Sequence, residues 1–194
     1  MKRFSHILII FSTLFLIYSC KSTPEQAYRA HEAKELASGV RYDSLFLGLS
    51  LGMSMDEFYD RCWQMNKQGL IMEGANNTTV RYEIQEFQHP ANMEFYPSSE
   101  NGKVTAMPIT FMYNGWSPWN KQLQADQLIS EVIELMESWY GEGFTEIENP
   151  TLVGSNAFLK VNGNRRITVY YVDESKVKVD IVDLTALEKH AAKK

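Results

Sequence analysis

Two cysteines and four histidines are the whole supply of thiol and imidazole in this chain of 194 residues. His6 sits in an apolar leader, while His31, His89 and His190 fall in a helix, a loop and the tail. Zinc sites draw on clustered His, Cys and carboxylate ligands, and no two of these histidines share a helix face. The sequence therefore points to no metal and no cofactor. Neither Gly-x-x-x-x-Gly-Lys-Ser/Thr nor Gly-x-Gly-x-x-Gly occurs, so no backbone cradle for phosphates is encoded. Asp173-Glu174 and the acidic stretch 180–183 lack the alternating carboxylates and the glycine of a calcium loop. Positive charge is scarce as well: 19 Lys and Arg stand against 24 Asp and Glu, a net charge of −5. Such a chain is unsuited to nucleic acid, whose phosphates need clustered Lys and Arg, and to polybasic attraction to anionic lipid.

A run long enough to cross a bilayer is also missing. A span takes about 20 apolar residues, and the apolar stretch here covers only residues 7–18. Lys2 and Arg3 precede it and Ser19-Cys20 closes it, the layout of a cleavable export leader. Ile17-Tyr18-Ser19-Cys20 resembles the lipobox of bacterial lipoproteins, with Tyr18 bulky for its slot. The resemblance implies cleavage after Ser19, a diacylglycerol on Cys20 and acylation of the new amine. Several acyl chains together anchor firmly where one alone is marginal. Residue 21 is Lys rather than Asp, which by resemblance to Gram-negative sorting signals favours the outer membrane, on its periplasmic side. Loss of Lys2 and Arg3 takes the charge to −7. Cys62 is then the lone remaining thiol, with no partner for an internal disulfide. It shares a helical face with Phe58 and Met65, the setting of a small buried hydrophobe.

Hydrophobic residues make up 44% of the chain and aromatics 12%, enough for a packed core and against global disorder. Thr23, Pro24 and Gln26 predict a capped helix over residues 22–38, stopped by Gly39. Its Ala- and Glu-rich interior suggests a tether holding the domain off the membrane, so residues 20–44 are expected to form a lipidated N-terminus and tether helix; a loosely packed accessory helix is the alternative. Residues 45–53 alternate Leu with Phe, Gly or Ser and are expected to enter the core as an extended segment. Ser54 and Glu57 form a Ser-x-x-Glu capping box for a second helix ending at Gly69. Strands are expected over 69–73, 78–87, 92–96 and 103–113, with Asn101-Gly102 as a tight hairpin turn. Ser117-Pro118 is expected to open a long helix. Leu128, Ile129, Val132, Met136 and Trp139 recur along it at three- and four-residue steps, and Gly141 ends it. Strands follow over 144–148, 156–161, 165–172 and 176–183, with Asn162-Gly163 as a second hairpin turn. Residues 187–194 read as a polar, fraying tail.

The order is α+β: after an N-terminal helix come two helix-then-antiparallel-strand units, 45–115 and 116–186, a possible tandem repeat. One sheet carrying both helices on one face is the simplest packing; two small sheets side by side are the alternative. Two local features bear on function. Gly48-Leu49-Ser50-Leu51-Gly52 spells a nucleophile-elbow pattern, but that motif needs a strand, a tight turn and a helix around the serine. The stretch from Tyr113 to Trp119 puts Tyr113, Trp116 and Trp119 around a helix start. Trp is enriched at binding hot spots, so these three are the candidate partner-binding residues; rings closing the core are the alternative.

Residues 47–58, Leu-Gly-Leu-Ser-Leu-Gly-Met-Ser followed by Met-Asp-Glu-Phe, resemble the helix entry of BamE-like envelope lipoproteins. β-Lactamase-inhibitor proteins carry tandem units of related fold. The resemblance covers 45–112 and more faintly 117–183, and implies a capped helix on antiparallel strands that docks on other proteins. The expected function is a non-catalytic envelope lipoprotein that binds another envelope protein. A small-ligand or peptide-binding lipoprotein using a concave sheet face is the alternative, and an envelope hydrolase built on Ser50 a remote third. Metabolic labelling with radioactive palmitate is expected to mark the wild-type chain and not Cys20→Ala; equal labelling of the two would overturn the anchor.

Overall fold

The computed structural model describes residues 23–148 and 156–191. The leader, Cys20 and Lys21 lie outside the described residues, as do residues 192–194 of the expected tail. Helix α1 spans Pro24–Ala37. The Gln26 amide donates to the Thr23 hydroxyl and the Thr23 amide to the Gln26 side chain, a complete capping box. The expected tether is in fact docked. Tyr28 and Leu36 lie eight residues apart on one helical face and pack against Ala157, Leu159 and Val161. Polar contacts fix the same face: Arg166 pairs with Glu32 at 3.3 Å, and the Gly163 amide donates to Glu35 at 2.8 Å.

Residues 45–53 do not run extended as expected. Leu47 and Gly48 take left-handed backbone angles, φ 54° and 71°, and fold the chain into a tight turn. The Leu49 amide donates to the Phe46 carbonyl and the Leu45 amide to the Leu49 carbonyl. The turn lets Leu45, Phe46, Leu49 and Leu51 all reach the core. The alternation was real, but it arises from two reversals rather than from a pleat. Helix α2, Met55–Lys67, then starts on the Ser54–Glu57 capping box.

The strands are β1 (Met72–Glu73), β2 (Val80–Ile84), β3 (Ala91–Phe95), β4 (Ser98–Glu100) and β5 (Lys103–Tyr113). Helix α3 (Ala125–Tyr140) leads to β6 (Thr145–Glu148), β7 (Asn156–Asn162), β8 (Arg165–Asp173) and β9 (Lys176–Asp183). The helix starts seven residues later than the expected Ser117-Pro118 start, with Gln124 at its cap. Residues 121–123 form a 3₁₀ turn, and the Gln124 side chain donates to the carbonyls of Ser117 and Asn120. Those bonds hold the Trp119 loop outside the helix. The second hairpin turn is Gly163-Asn164, one residue later than expected, because Asn162 still pairs with Arg165. The tail is not wholly frayed: Leu184–Ala191 form helix α4, where Asp183 accepts from the Thr185 amide and hydroxyl.

All nine strands belong to one antiparallel sheet, in the order β1-β2-β3-β5-β9-β8-β7-β6 with β4 alongside β5. The chain is α+β. The first meander runs from the β1 edge inward to β5. Helix α3 then carries the chain to the opposite edge, and the second meander returns inward to β9. The two meet where Met107, Ile109 and Phe111 pair with Ile181, Val179 and Val177, all with no exposed surface. Phe58 of α2 and Leu128, Val132 and Met136 of α3 join the same hydrophobic cluster as Met93, Phe95 and Ile109, so both helices cover one face. Helix α1 covers the other face at β7. Pro108 sits within central β5 without breaking it. Its place falls between the β3 register, which ends at Ile109, and the β4 register, which begins at Ala106. A residue lacking an N–H is tolerated where neighbouring pairing is interrupted.

One shared core predicts one unfolding transition. Ile109→Ala is expected to cost about 2–5 kcal/mol and Ser54→Ala about 1 kcal/mol. Both are measured by urea denaturation followed at tryptophan fluorescence and at far-UV circular dichroism. Separate midpoints for the two signals would show two independently folding units instead.

Candidate functional site

The structure separates the three aromatic candidates. Tyr113 is a core residue, 1% exposed, and its hydroxyl donates to Glu131 at 3.0 Å, tying β5 to α3. It is not available to a partner, because it is the last inward-facing residue of a central strand. Trp116 is half-buried and donates through Nε1 to Gln124. Trp119 is 84% exposed, at the tip of the loop before α3. A second aromatic surface was not singled out from sequence. Tyr59 and Trp63, one turn apart on α2, are 50% and 61% exposed. The Tyr59 hydroxyl meets that of Tyr96 at 2.6 Å, and Lys67 Nζ lies 4.8 Å from the centre of the Trp63 ring. Their four-residue spacing was the available signal.

Ser50 does not sit in an elbow. It bridges Ser44 in extended pairing, and its amide faces the Met53 sulfur at 3.3 Å. The groove beside it is walled by Arg61, Glu57, Asp60 and Lys103, with no histidine among the described residues that line it. His89 stacks edge-on to Tyr113, with ring centres 5.9 Å apart, and His31 is exposed on α1. No group of three His, Cys, Asp or Glu among the described residues is placed to hold a metal. Among the described residues no helix is long and apolar enough to cross a membrane.

On the sheet face opposite α2 and α3 several charges are paired, although Asn92 Oδ1 and Arg166 Nε are buried there without a partner among the described residues. Arg81 binds Glu94 at 2.6 Å, Lys178 lies 3.8 Å from Asp180, and the Tyr170 hydroxyl donates to Asp180 at 2.8 Å.

A different arrangement occupies the helix-covered side, where loop 42–47, the end of α3 and the start of β8 converge. The loop is clamped by the β7–β8 hairpin. The Tyr42 amide donates to Asn164 Oδ1 at 2.7 Å, and Asn164 Nδ2 donates to Asp43 at 3.0 Å. Gly163 makes this approach possible: a Cβ there would stand 2.1 Å from the Val40 carbonyl oxygen. Arg41 completes the clamp with Asp43 at 2.7 Å and Asp183 at 2.8 Å. Burial opposes ionisation of Asp183, but hydrogen bonds from Arg41, Thr185 and Asn164 outweigh it and hold its carboxyl below the usual range.

Held by this clamp, Arg165 enters the protein. It is 5% exposed, and Nη1 donates to the Ser44 carbonyl at 2.7 Å. Its guanidinium carbon lies 4.4 Å from the Tyr140 ring centre and 5.8 Å from that of Tyr42. No carboxylate pairs with it among the described residues, and Nε has no partner. Burial presses the guanidinium below its ordinary pKa, against the pull of Tyr140, Tyr42 and Asp43. The Tyr140 hydroxyl is also buried without a partner, and burial drives its pKa up while Arg165 pulls it down. Lys160, 8% exposed on the same face of the sheet, donates to the Glu142 carbonyl; burial and then Arg165 lower its pKa. A cleft of about 610 Å³ opens beside Arg165, walled by Tyr42, Phe46, Tyr82, Trp139 and Tyr140. Phe46 is fixed edge-on to Phe95 at 4.9 Å and lies 5.7 Å from Trp139. Nothing local in the sequence marks Arg165, since its partners lie more than a hundred residues earlier or on another helix.

Comparison with protein-family models, curated proteins and solved structures returned no match.

Cys62 is half-buried against the core, and burial raises its thiol to about 11. The thiolate is the reactive form, so the protein is expected to react with iodoacetamide at pH 8 about two orders of magnitude more slowly than free cysteine. A rate equal to that of free cysteine would reinstate a reactive thiol.

Proposed function

We propose that this chain is a lipid-anchored, non-catalytic protein of the bacterial envelope, held at the outer membrane through Cys20, that docks on another envelope protein through the loop bearing Trp119. The observation that carries the reading is the 84% exposure of Trp119. Tryptophan is among the residues most enriched at interface hot spots. The loop is not slack: Gln124 and Trp116 brace it from below, so its tip is presented with little ordering left to do on binding. The lipobox-like end of the leader and the resemblance to BamE-like lipoproteins support the same reading.

A photo-crosslinking amino acid in place of Trp119 is expected to trap one envelope protein in intact cells, with the same residue in place of solvent-facing His31 as the control. Trp119→Ala is expected to weaken co-purification of that protein about tenfold or more, the loss of a central aromatic contact. Equal adducts at both positions, or unchanged co-purification, would remove the docking role of this loop.

A further inference from the structure

The cleft at Arg165 combines features that folding alone does not require. A guanidinium taken out of water is costly unless paired. Here it has one neutral acceptor, the Ser44 carbonyl, and an unpartnered Nε. The Tyr140 ring beneath it offsets part of that cost, but the Tyr140 hydroxyl is itself buried without a partner. Arg165 and Tyr140 both line a cleft walled by rings, and each keeps one buried polar atom without a partner among the described residues. The volume of about 610 Å³ lies in the usual range for small-molecule sites, which combine apolar walls with a few placed polar groups. Charge narrows the choice further. Among the described residues that line the cleft, Arg165 is the one cation and Glu86 the one carboxylate. A single anionic group is matched by Arg165, and a second negative charge would meet Glu86.

We infer that this cleft binds a small monocarboxylate with a flat apolar body, its carboxylate on Arg165 and the Tyr140 hydroxyl and its body between Phe46, Trp139 and Tyr82. A guanidinium fork matches a carboxylate geometrically, and such charge-assisted bonds are about twice as strong as neutral ones. Flat rings pack offset or edge-on against the aromatic walls. The site is separate from the Trp119 loop, and its test does not depend on the docking reading.

The test titrates 1-naphthoate into the full-length protein in detergent, followed by calorimetry and by quenching of tryptophan emission. Saturable binding is expected, with 1-naphthalenemethanol, which has the same rings and no charge, about tenfold weaker or worse. Arg165→Gln is expected to weaken naphthoate about tenfold while leaving the neutral analogue unchanged. Glu86→Gln, at an exposed position, is expected to tighten naphthoate about twofold or more and keeps the test decisive if Arg165→Gln does not fold. No saturable binding at millimolar naphthoate would overturn the inference. So would equal affinity for the charged and neutral compounds, or a folded Arg165→Gln that binds naphthoate as well as wild type.

Discussion

Where Met107, Ile109 and Phe111 of β5 lie beside Ile181, Val179 and Val177 of β9, two meanders become one sheet. Each meander alone is a half-covered set of antiparallel strands with one helix. Joined at their inner strands, they share a core that holds Phe58 from the first half and Leu128, Val132 and Met136 from the second. Burial of apolar area at about 25 cal/mol per Å² is the dominant stabilising term, and this seam concentrates it in six inward-facing side chains with no exposed surface. The outer parts follow from it. Helix α3 must cross the sheet to start the second meander at the far edge. The hairpin between β7 and β8 must then return over loop 40–44, and so builds the Arg165 cleft.

Elements governed by local chemistry were legible in the sequence. Strands β5 and β9 fall on their expected residues, and α2 begins on its capping box. Failures came where distant residues decide. The Ser117-Pro118 pair has the chemistry of a helix start, yet Gln124 claims the nearby carbonyls and the helix begins where its apolar face begins. The alternation over 45–53 imitated a strand, but a turn at Leu47-Gly48 brings Leu45, Phe46, Leu49 and Leu51 inside together. The apolar part of the docking of α1 comes from only Tyr28 and Leu36, too few to signal an amphipathic face. Among the three aromatic candidates, the exposure of Trp119 and the burial of Tyr113 were not legible, since an aromatic at the end of a strand looks alike whether it closes the core or leaves it. Arg165 had no signature, because its burial depends on Tyr42, Ser44 and Tyr140 arriving from elsewhere.

The polar clamp and the cleft divide one task. Arg41, Asp43, Asn164 and Asp183 satisfy each other, and a fully satisfied network specifies a single arrangement of the loop. Arg165 and Tyr140, a few residues away, are left incompletely satisfied inside that rigid frame. Rigid surroundings are what allow such groups to persist, because the chain cannot relax around them.

The docked position of α1 has a consequence for how the protein would sit on a membrane. Its cap, Thr23, is three residues from Cys20, a distance of at most about 10 Å even when fully extended. If Cys20 carries acyl chains, the body of the protein is leashed rather than tethered. It has little room to tumble, and the rim formed by α1 and β7 is kept toward the bilayer. An anchor that short sets a direction as well as a location. A partner in the same membrane would then be met by a search in two dimensions, with one side of the molecule already turned away from the lipid.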